Sequence, residues 1–289
     1  MVSARHKAEH TADQSDVTVY EAQRGWVVLN LQELWKYREL MFFLSWRDIK
    51  VRYKQAVLGA AWVVLQPLIQ TVVFTVIISV VFGVKSPDPT IPYSVFALTG
   101  LVLWQYFSSS LSRATGGLVG QASLLTKVYF PRLVIPISSM FTGLVDLLIS
   151  LVIVGVVMAA YGIAPGWQLV FFPLFILLAL FTALAAGLWL GALNVLYRDV
   201  GSILPFLVQI LMYLSPVVIP PTYVERYQAL KIIFALNPMT GALNGFRWAF
   251  LKQPFDTTYF WYSLAVTAVL LVGGLIFFKR MERVFADVI

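Results

Sequence analysis

Cysteine is absent from the 289 residues, which excludes disulfides, thiolate metal sites and cysteine nucleophiles. Histidine is almost as rare. His6 and His10 both lie in the polar first 25 residues, so an imidazole-based metal or catalytic site within the apolar body is excluded too. Charge is also scarce: Asp, Glu, Lys and Arg make up 12% of the chain and hydrophobic residues 60%, against about 25% and about 45–50% in soluble domains. So few charges cannot clothe a water-facing surface, and the mean hydropathy of +0.81 agrees. Disorder, collagen and coiled coil are excluded by the same apolar content and by the lack of a short repeat. A phosphate loop of the form G-x-x-x-x-G-K-[ST] is missing as well. The cluster Gly116-Gly117-Leu118-Val119-Gly120 lacks the lysine and follows no strand, so any ATP hydrolysis must come from another chain. What remains is an all-α, polytopic membrane protein.

Six segments have the roughly 20 mostly apolar residues a spanning helix needs: about 57–83, 93–118, 132–161, 168–195, 202–219 and 259–279. Polar breaks separate them. Lys85 and Asp88 stand among Pro87, Pro89 and Pro92, and Tyr161 to Trp167 form a short Gly- and Pro-containing loop. Residues 1–29 carry mixed charge and no long apolar run. They read as a cytoplasmic tail, not a signal peptide, ahead of a single transmembrane domain over 30–289.

Orientation follows from Lys and Arg. Nine precede the first span, followed on the same face by Arg113, Lys127, Arg132, Arg198, Lys279, Arg280 and Arg283. The opposite face has five: Lys85, Arg226, Lys231, Arg247 and Lys252. Both termini are therefore expected in the cytoplasm, and the net charge of +7 is a topology signal with no nucleic-acid partner behind it.

Two regions are not simple hairpins. In residues 30–54, Leu31, Leu34, Trp35, Met41, Phe42 and Leu44 are interleaved with Glu33, Lys36, Arg38 and Glu39, which predicts an amphipathic helix lying along the cytoplasmic interface. Residues 220–258 are too apolar for an exposed loop and are cut by Pro220, Pro221, Pro238, Gly241 and Gly245. Two short re-entrant helices are expected there, because irregular backbone at membrane depth must be buried in protein or face a cavity.

The body holds little catalytic chemistry. Asp146 is the one acid between Leu133 and Tyr197, about 14 residues into its span, and an intramembrane carboxylate is a functional hypothesis by default. With no partner evident at its depth, a structural role stands beside a functional one, and catalysis by Asp146 alone is not expected. Two helical stripes are more informative. Trp62, Gln66, Gln70 and Phe74 share one face of the first span, and Phe206, Gln209 and Tyr213 share one face of the fifth. Rings beside amides suit a sugar, whose C–H faces pack on the rings while its hydroxyls bond the amides. The same glutamines would equally serve as bonds between helices.

The run Arg47-Asp48-Ile49-Lys50-Val51-Arg52-Tyr53-Lys54-Gln55, with Leu58-Gly59 and Trp62, resembles the approach to the first span in polysaccharide-export permeases, the type-2 ABC exporters of O-antigen, capsule and teichoic acid. Further similar blocks follow in order: Lys127 to Arg132, Asn194 to Val200, Ser215-Pro216-Val217, Asn237-Pro238, and Gly245-Phe246-Arg247-Trp248. The resemblance covers about 30–289. It implies a homodimeric, channel-forming subunit without a cofactor of its own, working with two copies of an ATPase that holds ATP and Mg. It implies export of a polysaccharide on a polyprenyl pyrophosphate carrier across a bacterial inner membrane. Arg47, Lys50, Arg52 and Lys54 would then meet the pyrophosphate or lipid headgroups. Leu124, Lys127, Tyr129 and Arg132 would dock the ATPase, and Asn237, Arg247 and Trp248 would form an outer gate. Export of a drug or simple lipid, and an integral-membrane glycan enzyme, are the alternatives. The enzyme fits poorly, because the loops offer only Asp88, Asp199, Glu225 and Asp256 as acids.

Overall fold

A computed structural model describes residues 31–54, 59–125, 127–224 and 227–288; the expected tail at 1–29 lies outside them. Every regular element among the described residues is helical. Helices α1 (Leu31–Lys36) and α2 (Arg38–Lys54) lead into α3 (Gly59–Phe74), which continues as π-helical turns over Thr75–Val81. There follow α4 (Tyr93–Gly120), the short α5 (Ala122–Leu125) and α6 (Val134–Ala160). A 3₁₀ turn at Trp167–Phe171 opens α7 (Phe172–Leu196), and α8 (Asp199–Tyr213) comes next. Then come α9 (Pro221–Val224), α10 (Gln228–Leu236), α11 (Pro238–Leu251) and α12 (Thr257–Val288).

The breaks have local causes. Gly83 and Gly162 both take φ +68° where a helix ends, a conformation open to glycine at no steric cost. At Gly162 the Ile163 amide reaches back to the Met158 carbonyl at 2.9 Å, closing α6 in a Schellman turn. Asp88 Oδ1 accepts from both the hydroxyl and the amide of Thr90. Those bonds hold its carboxyl below the ordinary carboxylate range and fix the turn before α4. Asn237 caps α11 by accepting the Met239 amide at 2.9 Å, with Pro238 at the first helical position.

Among the described residues, four segments, Ala61–Val81, Val134–Ala160, Trp167–Leu196 and Thr257–Glu282, are long and apolar enough to cross a membrane. Helix α4 is as long but carries Gln105, Ser108, Ser109, Ser110, Ser112 and Arg113, and it sits at the centre of the body with α6 and α7 packed against it. Close approach there depends on small residues. A Cβ on Gly187 of α7 would come within 2.6 Å of the Ala114 Cβ on α4, and one on Gly191 within 3.1 Å of the Ala114 carbonyl. This is the small-residue packing that joins helices in lipid, where apolar burial gives no drive for association. Helix α12 packs on α7, α11 wedges against α7, α12 and α4, and α3 and α8 stand on α4.

Two expectations change. The expected fifth span, 202–219, becomes the 15-residue α8 followed by turns, because Pro216 disfavours helical backbone at Ser215. The one interfacial helix expected over 30–54 is two, α1 and α2, and the second is tied to α6. Ser45 Oγ donates to the Ser138 carbonyl, and Tyr53 Oη donates to Asp146 Oδ1. Both pairs are 93 residues apart in sequence, so α2 runs parallel to α6 over that stretch, about 12 Å at 1.5 Å per residue. The buried side of α2 is Leu44 and Ser45, while Phe42, Phe43 and Trp46 stay exposed, as does Trp35 on α1.

Candidate functional site

The expected pathway stripes lie on two sparsely buried helices, α3 and α8. On α3 the buried ridge is Val63, Pro67 and Thr71; on α8 it is Leu204, Val208 and Met212. Each ridge repeats every four residues, so each helix rests on the body by one narrow line and leaves the rest of its surface open. Trp62 (55% exposed), Phe206 (64%) and Tyr213 (49%) are on those open surfaces, as is Gln209. Gln66 turns inward, and its Nε2 donates to Gln105 Oε1 on α4 at 3.3 Å. Gln70 and Phe74 are half-buried. The two readings of the stripes thus divide by residue: Gln66 bonds between helices and Phe74 packs on the core, whereas Trp62, Phe206, Gln209 and Tyr213 face outward.

Asp146 has partners that sequence reasoning missed. Its Oδ2 is 2.9 Å from Arg52 Nη1 and 3.3 Å from Arg113 Nη2, and its Oδ1 accepts from Tyr53 at 2.7 Å. Arg113 also donates to Ser109 Oγ at 2.9 Å. Three helices therefore meet at one carboxylate: α2 through Arg52 and Tyr53, α4 through Arg113, and α6 through Asp146 itself. Gly143, one turn before Asp146, leaves the room, since a Cβ there would stand 3.3 Å from Arg113 Nη2. A cavity of about 20 Å³ adjoins the cluster, lined by Gln66, Gln105, Tyr106, Ser109 and Ser150. That is space for a single water.

The basic run on α2 is correspondingly less available than expected. Arg52 belongs to Asp146, and Arg47 pairs with its neighbour Asp48 at 2.8 Å. Lys50 is exposed with its ammonium 5.7 Å above the Trp46 ring, and Lys54 is exposed.

The connection from α5 to α6 presents Lys127 and Tyr129, the latter 71% exposed, while Leu124 packs onto a second apolar cluster. That cluster joins Leu44, Phe130, Leu133, Phe278 and Phe285, so it unites α2, this connection and the end of α12. Arg132 is turned inward. It donates to the Glu282 carbonyl at 2.6 Å and lies over the Phe285 ring, which makes it a tie between the connection and α12.

The outer-gate residues are engaged in holding their own segment together. Arg247 is 1% exposed. Its guanidinium donates to the carbonyls of Phe96, Pro216 and Val217 and lies over the Phe96 ring. It therefore faces the interior of its segment. Asn237 Nδ2 donates to the Leu214 carbonyl at 3.0 Å and to Ser215 Oγ at 2.7 Å. Trp248 sits among Trp167, Phe171, Phe175 and Phe255. Residues 214–217, Asn237 and Arg247 thus meet Phe96 of α4 at one place, where the carbonyls of the turn after α8 find their donors.

A profile of the ABC-2 type transporter family matches residues 39–251. The O-antigen export system permease protein RfbA of Myxococcus xanthus is 32% identical over 258 residues, spanning 89% of this chain and 98% of that protein. An O-antigen export system permease protein RfbA of Klebsiella pneumoniae is 25% identical over 252 residues, 87% of this chain and 95% of the relative. The capsule polysaccharide export inner-membrane protein CtrC of Neisseria meningitidis serogroup B is 25% identical over 256 residues, 85% and 92% respectively.

Proposed function

We propose, on the premise that this chain belongs to the ABC-2 type transporter family, that it is the channel-forming permease of an ATP-driven exporter of a cell-surface polysaccharide. It is a transport subunit, and a separate ATPase chain supplies the hydrolysis. The observation that carries the reading is the pair of open helical faces on α3 and α8, each standing on the body by a single ridge, with Trp62 on the first and Phe206, Gln209 and Tyr213 on the second. Relatives named for O-antigen and capsule export match the chain over nearly its whole length, which favours a glycan over a drug or simple lipid.

In this reading α3, α4, α6, α7, α8 with its following turns, and α12 are six spans of an inner-membrane protein with both termini in the cytoplasm. A second copy covers the α3 and α8 faces, and the glycan passes along Trp62, Gln70, Phe74, Phe206, Gln209 and Tyr213. Lys50 and Lys54, with Arg47, meet the pyrophosphate of a lipid-linked substrate or anionic headgroups. Leu124, Lys127 and Tyr129 take the ATPase, with Arg132 bracing that surface from within. Helices α10 and α11 dip into the outer leaflet as a lid whose hinge is anchored by Asn237 and Arg247. The apolar, exposed side of α10, Leu230, Ile232, Ile233 and Leu236, supports that position.

The test is genetic and chemical together. Cells lacking the protein should retain their polysaccharide inside, and the wild-type gene should restore it to the surface. Alanine at Gln70 and Gln209 together should slow that restoration with the protein level unchanged. Unaltered surface display in the deletion strain would refute the reading.

A further inference from the structure

We propose that Asp146 is a positioning residue for transport: it fastens α2 to the bundle so that movement imposed on α2 is carried into α4 and α6. This rests on the exporter reading above, in which α2 lies next to the ATPase-facing connection, and it assigns a role to a carboxylate which that reading does not use.

Three observations converge. The first is register. Ser45 to Ser138 and Tyr53 to Asp146 are the two ends of one parallel contact between α2 and α6, so the helices are attached at two levels and cannot rock about a single point. The second is the distribution of charge. Asp146 binds Arg52 from α2 and Arg113 from α4 through the same oxygen, which makes one carboxylate the link between a helix at the edge of the body and the helix at its centre. The third is a set of buried polar groups close by that are poorly partnered. Arg113 Nε makes no hydrogen bond, and Tyr106 Oη and Ser110 Oγ have at most each other. Tyr106 and Ser110 are at most 2% exposed. Buried polar groups are normally satisfied, and a group left open within reach of a charged cluster gives it an alternative arrangement. The 3.0 Å and 3.2 Å that a Cβ on Gly143 would leave to Ser110 Oγ and Tyr106 Cε2 show how closely these groups surround the path of Arg113.

Coupling between sites needs an element with two discrete arrangements that both sites bias. Here the element is the Arg113 side chain, which in this structure bonds Ser109 and Asp146 and shares the space over Gly143 with the Ser110 hydroxyl. When α2 is pushed, Arg52 and Tyr53 move the carboxylate, and the carboxylate moves Arg113.

The experiment is a double-mutant cycle on the complex of this chain with its ATPase. Asp146→Asn, Arg52→Gln and the double variant are compared for surface polysaccharide delivered per ATP hydrolysed, with Asp146→Glu as the conservative control. Each single variant should assemble, hydrolyse ATP, and lose about tenfold in export per ATP, the usual size of a coupling between linked sites. The double variant should be no worse than either single one, because both remove the same link, and Asp146→Glu should restore most of the ratio. An unchanged ratio in Asp146→Asn and Arg52→Gln, or losses that simply multiply, would overturn the proposal. So would failure of the Arg52→Gln complex to assemble, since that marks the pair as structural. Failure of the wild-type chain to recruit any ATPase would instead sink the exporter reading on which this rests.

Discussion

Arg247 and Arg113 are both arginines carried into an apolar body, and they are kept there in opposite ways. Arg247 meets main-chain carbonyls, two of them from the turn after α8 and one from α4, with a ring beneath its guanidinium. Arg113 meets a carboxylate that also serves a second arginine on another helix. Main-chain acceptors are fixed by the fold, so the Arg247 site is a clamp with one geometry. A carboxylate on a rotatable side chain can exchange partners, so the Asp146 site is a joint. One end of the molecule is therefore pinned, and the other is linked in a way that allows transmission.

This contrast is open to direct attack. The largest loss of stability should come from Arg247→Ala. It would take the donor from the Pro216 and Val217 carbonyls, while Phe96 keeps the Thr99 hydroxyl, and leave a cavity, costing about 3–5 kcal/mol, read as a fall in Tm of the detergent-solubilised protein. Arg247→Lys should recover little of it, because one ammonium cannot span three acceptors arranged for a planar fork. Next comes Gly100→Ala, whose new methyl would overlap Arg247 Nη2 and crowd the Val217 carbonyl. Overpacking of that kind costs about 1–3 kcal/mol. Asp146→Asn should be milder, at about 1–2 kcal/mol, because Arg52 and Arg113 keep 39% and 22% side-chain exposure and solvent screens them. If Asp146→Asn proved more damaging to Tm than Arg247→Ala, the division into clamp and joint would be wrong. The smallest effect on stability belongs to Gln209→Ala on the open face of α8, within about 0.5 kcal/mol, so a change in export there would report on the pathway and not on folding.

Helix positions were legible in the sequence because apolar runs of sufficient length admit few structures in lipid. The expected 93–118, 132–161 and 168–195 correspond to Tyr93–Gly120, Val134–Ala160 and Trp167–Leu196. The last helix runs nine residues past the expected 279, to Val288, since Phe278 and Phe285 pack two turns apart onto the cluster that holds Leu44 and Phe130. A hydropathy pattern read for spans passes over such an extension. Side-chain partners were much less legible. Arg113 was counted among the loop charges and Arg52 among the headgroup contacts, because nothing in a linear sequence says that residues 33 and 94 positions from Asp146 stand beside it. The 93-residue register of Ser45 with Ser138 and Tyr53 with Asp146 arises from packing, not from any local period. The partners of Arg247 were hidden for a related reason: the carbonyls of Phe96, Pro216 and Val217 stand 151, 31 and 30 positions away in the sequence.

The most direct test of the central claim is affinity purification of the full chain from detergent-solubilised native membranes, with ATP hydrolysis measured on the eluate. The account predicts that a nucleotide-binding subunit co-purifies and that hydrolysis disappears when that subunit's phosphate-loop lysine is replaced. A chain that purifies without any ATPase, from membranes where it is natively expressed, would contradict it.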